Sequence, residues 1–274
     1  MGPQRHLTFP GARRRRAMSL AVSTAVVLFA CLVAHLLRLT VRRSVHSAEL
    51  RRLLAEAITA SELCACAFEL GIIAGSYGVG TYAVYLFLLC IYQSYAWGEV
   101  YACPYLHVED WWLGQQAAGT AALRILAEVI GGWATWRYVR ALWWLELAAG
   151  HRGRWAEACT ADLQVSPLHG ALVEGVAVLF CRLVARALHE RQHRFATAID
   201  AFCATSLVVA GFNYSGGYYN PMLASALKLG CRGHTVAEHV AVYWCAATAG
   251  ALLSIQLYPL LRPTLTGRAE HKRD

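Results

Sequence analysis

A short apolar segment that begins at Asn220-Pro221 and stops at Gly230 constrains the fold more than any other feature of the chain. Asn220 is a favoured N-cap, Pro221 suits the first helical position, and Gly230 suits the residue that follows a helix. Such a helix rises about 15 Å, roughly half of the ~30 Å hydrocarbon thickness of a bilayer. Because irregular backbone at that depth must be buried by protein or line a water-filled cavity, the segment predicts a re-entrant element at a pore or buried site.

The composition indicates a polytopic membrane protein, because 57% of the 274 residues are hydrophobic and only 15% are charged. The net charge of +8 comes from arginine clusters between apolar segments, where charge sets membrane topology. We therefore expect no nucleic-acid partner. Most cysteines lie inside apolar runs and show no zinc-binding spacing, so we also expect no metal and no cofactor.

Seven longer apolar segments accompany the short one and predict helices in the membrane. They cover residues 17–37, 51–74, 79–97, 116–145, 168–188, 195–212 and 236–261. The basic clusters at 38–52, 182–194 and 262–273 are predicted to be cytoplasmic. The arginine run Arg13 to Arg16 conflicts with this orientation if residues 17–37 span the bilayer. Either that helix lies in the interface, or the charge rule does not hold there.

An internal repeat organises the chain. Glu56 and Glu174 each lie early in an apolar helix, and a short segment opened by proline follows each of them at a similar distance. Each half then has three spans and one short helix, and an odd number of spans forces the two halves to be inverted. Inverted repeats with paired broken helices are typical of transport proteins with a site at the bilayer midplane.

These residues resemble the aquaporin family over about residues 50–262. The resemblance rests on the motifs Cys103-Pro104-Tyr105 and Asn220-Pro221-Met222, the two glutamate-bearing repeats, and a final helix of the form Tyr243-Trp244-x5-Gly250. The chain is most similar to the superaquaporin subgroup. Three departures carry that assignment: the first motif is not Asn-Pro-Ala, Leu223 replaces the usual filter arginine, and Cys231 lies where the subgroup has its signature cysteine.

The resemblance implies an all-α membrane protein. We expect an aquaporin-like right-handed bundle of six transmembrane helices and two re-entrant half-helices, with an extra N-terminal hydrophobic helix. The expected division is residues 1–47 for the basic N-terminus and extra helix, 48–262 for the channel domain, and 263–274 for a cytoplasmic tail. The two repeats cover about 50–145 and 168–262. The resemblance also implies a homotetramer, each subunit with its own pore, in an intracellular membrane such as the endoplasmic reticulum.

The implied function is passive permeation of water. Whether small neutral solutes such as glycerol also pass is left open by the sequence. The half-helix N-termini would place positive potential at the centre, and Asn220 would donate amide hydrogens to a passing solute. Cys103 is a weaker donor. Tyr105 and Met222 replace small alanines, so the midpoint is predicted to be tighter or differently shaped. The predicted filter positions are uncharged: Ala83, Val208, Gly217 and Leu223.

Three further residues are expected to be structural. The resemblance implies that Glu56 and Glu174 hold carbonyl groups of the re-entrant loops. Cys231 is either a packing thiol or a disulfide or redox position, with Cys159 as a candidate partner.

Two other functions remain open at this point. A non-conducting membrane scaffold is one, because the altered first motif would fit a closed pore. A membrane-embedded enzyme is less favoured. It would use Cys103 and His107, which lie close to Glu109 and Asp110, as a nucleophile and base. The acidic residues also fit simple compensation of a helix dipole.

Overall fold

The computed structural model describes the backbone of residues 10–266 and the side chains of residues 19–262. The side chains of the predicted basic run Arg13 to Arg16 lie outside the described residues, as do the side chains of 263–266 and all of 267–274 in the predicted tail. Within residues 10–266 the chain is predominantly helical and forms no strand. The prediction of an all-α fold is confirmed for these residues.

The helices follow the predicted apolar segments to within a few residues, apart from the longer α1. They are α1 (Pro10–Ser44), α2 (Ala48–Tyr77), α3 (Val79–Trp97), α4 (Pro104–Trp112), α5 (Ala118–Trp144), α6 (Pro167–Arg191), α7 (Ala196–Gly211), α8 (Pro221–Lys228), α9 (Val236–His239) and α10 (Ala247–Thr266). A π-helical stretch, Val240–Ala246, joins α9 to α10 without a break.

Within the part of the chain that the structure describes, four segments are long and apolar enough to cross a membrane. They are Ser19–Ser44, Ala48–Tyr77, Val79–Trp97 and Val236–Arg262, the last made of α9, the π-helical stretch and most of α10. Helix α7 is apolar but shorter, at 16 residues.

Two short helices interrupt the series, as the proline positions predict. Helix α4 has 9 residues and α8 has 8, so each rises only about 12 to 14 Å. Both begin with proline at the first helical position. Helix α8 ends at Lys228, and Gly230 follows the C-cap Leu229 with a φ of +82°, a conformation that glycine adopts without strain.

The long helices of the two repeats pack in the same way. Helix α2 lies against α5, and α6 lies against α10. A methyl group at Gly131 of α5 would overlap the Ala57 carbonyl of α2, and one at Gly250 of α10 would overlap the Gly175 carbonyl of α6. Ala57 and Gly175 directly follow Glu56 and Glu174. Glycine therefore allows an equivalent close approach in both halves, next to the paired glutamates.

The extra helix α1 packs lengthwise along α2. Val27 and Cys31 of α1 join Cys66 and Leu70 of α2 in one buried cluster. A buried ion pair joins Arg38 of α1 to Glu62 of α2. The α1 helix is therefore packed against the bundle over more than two turns.

Candidate functional site

The starts of the two short helices meet. Asn220 and Cys103, which precede the two prolines, have nearly the same backbone angles: φ −151° and ψ 112° for Asn220, φ −148° and ψ 112° for Cys103. The Asn220 Nδ2 donates to the carbonyl oxygen of Ala102 at 2.7 Å. Its Oδ1 accepts from the backbone N–H groups of Met222 and Leu223 and so caps α8. The Cys103 side chain makes no equivalent cap.

Glu174 holds the segment that leads into α8. Its carboxylate accepts from the backbone N–H of Tyr218 at 3.1 Å, the N–H of Tyr219 at 2.6 Å, and the Ser215 hydroxyl at 2.6 Å. The expectation that Glu174 holds loop carbonyls is wrong, because a carboxylate accepts hydrogen bonds and here takes them from amides. The anchorage fixes a strained turn in which Tyr219 has a φ of +48°.

Glu56 has different partners from Glu174. Its Oε1 lies 3.3 Å from Arg52 Nε and 3.8 Å from His107 Nε2, and the same His107 nitrogen lies 3.3 Å from Glu128 Oε1. Glu56, His107 and Glu128 are fully buried. Glu56 therefore belongs to an acid–base cluster beneath α4 and makes no hydrogen bond to the backbone before Cys103 in the described chain.

This cluster also bears on the enzyme alternative. His107 Nε2 faces two carboxylates, while Cys103 packs in a separate apolar cluster with Tyr105 and Val178. No hydrogen bond joins the Cys103 thiol to His107 among the described residues. The nucleophile and base that the enzyme hypothesis requires are not assembled.

A cavity of about 550 Å³ runs past the meeting point of the short helices. Helices α2, α3, α6 and α7 line it, with further side chains from α4, α5 and α8, the segment 216–220, and the central loop, which we define as residues 145–166. Its wall includes five of the predicted site residues: Tyr105, Val208, Gly217, Asn220 and Leu223. A side chain at Gly217 would meet the Val208 carbonyl oxygen at 2.7 Å, so only glycine lets this loop pass so close to α7.

The remaining predicted pore residues are not among those that line this cavity in the described chain. They are Ala83, Cys103, Pro104, Pro221 and Met222. On α3 the wall is formed by Tyr82 and Leu86 in the neighbourhood of Ala83. Met222 is 1% exposed, and its sulfur lies 3.5 Å from Cys64 Sγ. Its bulk therefore fills the contact of α8 with α2.

A cross-linked part of the central loop lines one end of the cavity. Cys231 forms a disulfide with Cys159, and this decides between the two sequence alternatives for Cys231. Beside it, Lys228 Nζ lies 2.8 Å from Asp162 Oδ1, and the Tyr218 hydroxyl donates to Asp162 Oδ2 at 2.6 Å. These contacts bind the central loop to the end of α8.

Three polar residues toward the other end were not singled out from the sequence. Arg182 of α6 and Asp200 and Thr205 of α7 line the cavity. Arg182 Nε and Nη2 donate to Glu109 at 2.9 and 2.6 Å, which leaves Nη1 without a hydrogen bond to the described residues. The buried Thr205 hydroxyl has no hydrogen-bond partner, and Asp200 makes no hydrogen bond or ion pair within the described chain.

The sequence contained a signal for these residues. Asp200 is an acid inside a predicted span, which by default marks a functional position. Arg182 was grouped with the basic loop 182–194, although α6 continues to Arg191 and keeps Arg182 within the helix.

Comparison with known proteins identifies the family. No family model matches the chain. An aquaporin-11 from Milnesium tardigradum is 30% identical over 245 residues, which cover 89% of this chain and 89% of that protein. The chain belongs to the aquaporin family.

Other relatives place this aquaporin in the superaquaporin subgroup. Human aquaporin-11 is 25% identical over 92% of the chain and 94% of its own length. A putative human aquaporin-12A is 27% identical over 73% of the chain and 68% of its own length. The aquaglyceroporin of Plasmodium falciparum shares the fold, with a TM-score of 0.50 at 10% identity over 93% of this aquaporin and 99% of that chain. A membrane channel is therefore the function supported at family level.

Proposed function

We propose that this aquaporin is a passive channel for water and small neutral solutes such as glycerol. The observation that carries the proposal is the cavity that runs past the junction of α4 and α8. Asn220 lines it there. One Asn220 amide hydrogen is used by Ala102, so the second is available to a solute oxygen.

The proposed architecture has six spans, α2, α3, α5, α6, α7 and the helix from α9 to α10, with α4 and α8 as re-entrant half-helices. In this arrangement residues 48–262 form the channel domain, with the repeats at about 50–145 and 168–262. Helix α1 within residues 1–47 is an added seventh span, and 263–274 is a cytoplasmic tail. The glycine contacts shared by the two repeats support this division.

We further propose a homotetramer in an intracellular membrane such as the endoplasmic reticulum. The Cys159–Cys231 disulfide supports an oxidising, luminal side for the central loop. The arginine-rich ends of α1 and α6 would then face the cytoplasm, in agreement with the positive-inside rule. Imaging of the tagged chain and the mass of the purified protein test these two statements.

The wall chemistry favours neutral permeants. The proposed filter at Val208, Gly217 and Leu223 carries no charge. At the other end the positive Arg182 and the negative Asp200 line the same cavity and interact electrostatically. A cation is repelled by Arg182 and by the N-termini of α4 and α8, and an anion is repelled by Asp200.

Blocking the cavity tests the channel function. Val208→Trp places an indole in the cavity wall, so we expect osmotic water permeability of proteoliposomes to fall to the level of empty liposomes. The matched control is Phe202→Trp on the outer face of α7, where Phe202 is 65% exposed; it should retain the parent permeability. Stopped-flow light scattering under water and glycerol gradients measures both.

Absence of flux in the well-folded parent protein would overturn the channel proposal and favour the non-conducting scaffold. Equal water permeability of V208W and the parent would show instead that solutes do not use this cavity.

A further inference from the structure

The last turns of α5 carry two arginines without an acidic partner. The Arg137 guanidinium lies 4.8 Å from the centre of the Trp133 ring, and that of Arg140 lies 5.6 Å from the Trp136 ring. Arg140 Nε donates to the Trp155 carbonyl oxygen at 2.8 Å. Neither arginine makes an ion pair with a described side chain, and most of their donors remain unused. Indole rings thus hold two cations in place without neutralising them.

These arginines share an open pocket of about 320 Å³. The pocket is distinct from the cavity of the proposed channel, although Trp136 lines both. Its lining consists of Trp136, Arg137, Arg140, Ala141, Trp144 and Trp155. Trp144 is 64% exposed and gives the pocket an apolar edge.

The position of the pocket along α5 points to the membrane surface. Leu123, Leu126, Ile130 and Trp133 are all more than half exposed and repeat at spacings of three and four residues. This exposed apolar stripe rises about 15 Å and ends at the pocket. Tryptophan favours the headgroup region of a bilayer. The two arginines therefore come at the depth where lipid phosphates lie.

We propose that this pocket binds the phosphodiester of an anionic phospholipid headgroup. Guanidinium groups bind phosphate oxygens through paired, charge-assisted hydrogen bonds, and the indole edges would contact the glycerol backbone and upper acyl chains. A second copy of this face in a twofold contact is disfavoured as the occupant, because that contact would bring four unpaired arginines together.

The test measures lipid binding to the full chain by native mass spectrometry in detergent. The probes are phosphatidylglycerol, phosphatidylcholine and soluble glycerol phosphate. We expect phosphatidylglycerol to bind more tightly than phosphatidylcholine, and the soluble headgroup to bind at least roughly tenfold more weakly because it lacks the acyl contacts. Arg137→Gln is the primary variant, because the Arg137 guanidinium packs on the Trp133 ring and makes no hydrogen bond or ion pair with the described residues. It should weaken phosphatidylglycerol binding roughly tenfold.

The matched control is Arg152→Gln, an exposed arginine in the following loop that does not line the pocket. It removes the same charge from the same end of the molecule and should leave lipid binding unchanged. Arg137→Lys is a second variant, which keeps the charge and should bind between the parent and R137Q. The proposal is overturned if R137Q binds phosphatidylglycerol like the parent, if R152Q weakens binding equally, if soluble glycerol phosphate binds as tightly as the lipid, or if dimers replace lipid adducts.

Discussion

Glu174 is the residue on which the conformation of the 215–219 segment depends most directly. One buried carboxylate satisfies two backbone N–H groups and one hydroxyl. Without it, the Tyr218 and Tyr219 amides would be buried and unpaired, and the positive φ of Tyr219 would lose its restraint. These contacts give the Glu174 carboxylate a structural role that requires no proton transfer.

Replacing this carboxylate tests that role. In Glu174→Gln the side chain keeps its shape, but its NH2 group faces an amide donor. We expect a loss of about 1 to 3 kcal/mol of stability because one buried N–H is left unpaired. Glu99→Gln, at an exposed carboxylate, should leave stability unchanged. Thermal unfolding followed by fluorescence-detected size-exclusion chromatography compares them, and equal unfolding temperatures would contradict the assigned role.

At the scale of helices, the sequence predicted most positions correctly because the signals are local. The length of an apolar segment predicts the length of its own helix. Pro104 and Pro221 mark where α4 and α8 begin, and Gly230 marks where α8 has ended. The contacts of Glu56 and Arg182 could not be read in this way, because they depend on which faces of distant helices meet. The orientation of Cys103 and Met222 could not be predicted either. The motifs place both residues at the starts of the short helices, but their side chains do not line the cavity.

The packing of α1 against α2 is another long-range feature, and it rests partly on a buried ion pair. Arg38 is 3% exposed and Glu62 is 2% exposed, and Glu62 also accepts from Trp97 Nε1 at 3.2 Å. A single buried charge is far more costly than a matched pair or an apolar pair. Because one unpaired buried charge costs so much more than a matched pair, single and double variants can measure how much the contact of α1 with α2 contributes to stability.

Removing one partner of the Arg38–Glu62 pair should therefore destabilise the protein strongly. We expect Arg38→Leu to cost about 3 to 5 kcal/mol, because Glu62 is left as an unpaired buried charge. The double variant Arg38→Leu with Glu62→Met should recover most of that loss. Arg42→Leu, an exposed arginine one turn further along α1, is the control. Denaturant titration measures the four proteins. A double variant no more stable than R38L would show that the charge is not the cause.

At the scale of the whole molecule, the two ends of the cavity differ in chemistry. Near α8 the wall is apolar at Val208 and Leu223, and the disulfide-linked loop beside them adds the paired charges of Asp162 and Lys228. Toward the opposite end, eight residues or about 12 Å back along α7 from Val208, lies Asp200. Arg182 lies eight residues, or about 12 Å, after Glu174 on α6. Helices α6 and α7 therefore place Arg182 and Asp200 at a similar distance from the segment that leads into α8. We therefore propose that charge selection takes place at Arg182 and Asp200 and not at Leu223, the position where the resemblance to aquaporins predicts an arginine.

The charges at this polar end balance. Arg182 and Arg186 contribute +2, and Glu109 and Asp200 contribute −2. Arg186 Nη2 donates to Glu109 Oε2 at 2.8 Å, so both arginines share one buried carboxylate. Asp200 is the only member of this group of four without a hydrogen bond among the described residues. It is therefore the charge that can be removed with the least disturbance to packing.

Asp200→Asn should convert this balanced end into a positive one. The net charge of the group becomes +1, and it adds to the positive N-termini of α4 and α8, so the barrier to anions falls. A unit charge about 5 Å from the path is worth on the order of 3 kcal/mol at an effective dielectric of 20. We therefore expect the ratio of chloride to water permeability to rise by one to two orders of magnitude, while potassium stays excluded. Chloride flux into proteoliposomes that contain a fluorescent indicator measures the change, with E99Q as the control for loss of a carboxylate elsewhere. An unchanged ratio in D200N, with water flux still blocked by V208W, would show that the channel exists but does not select at Asp200.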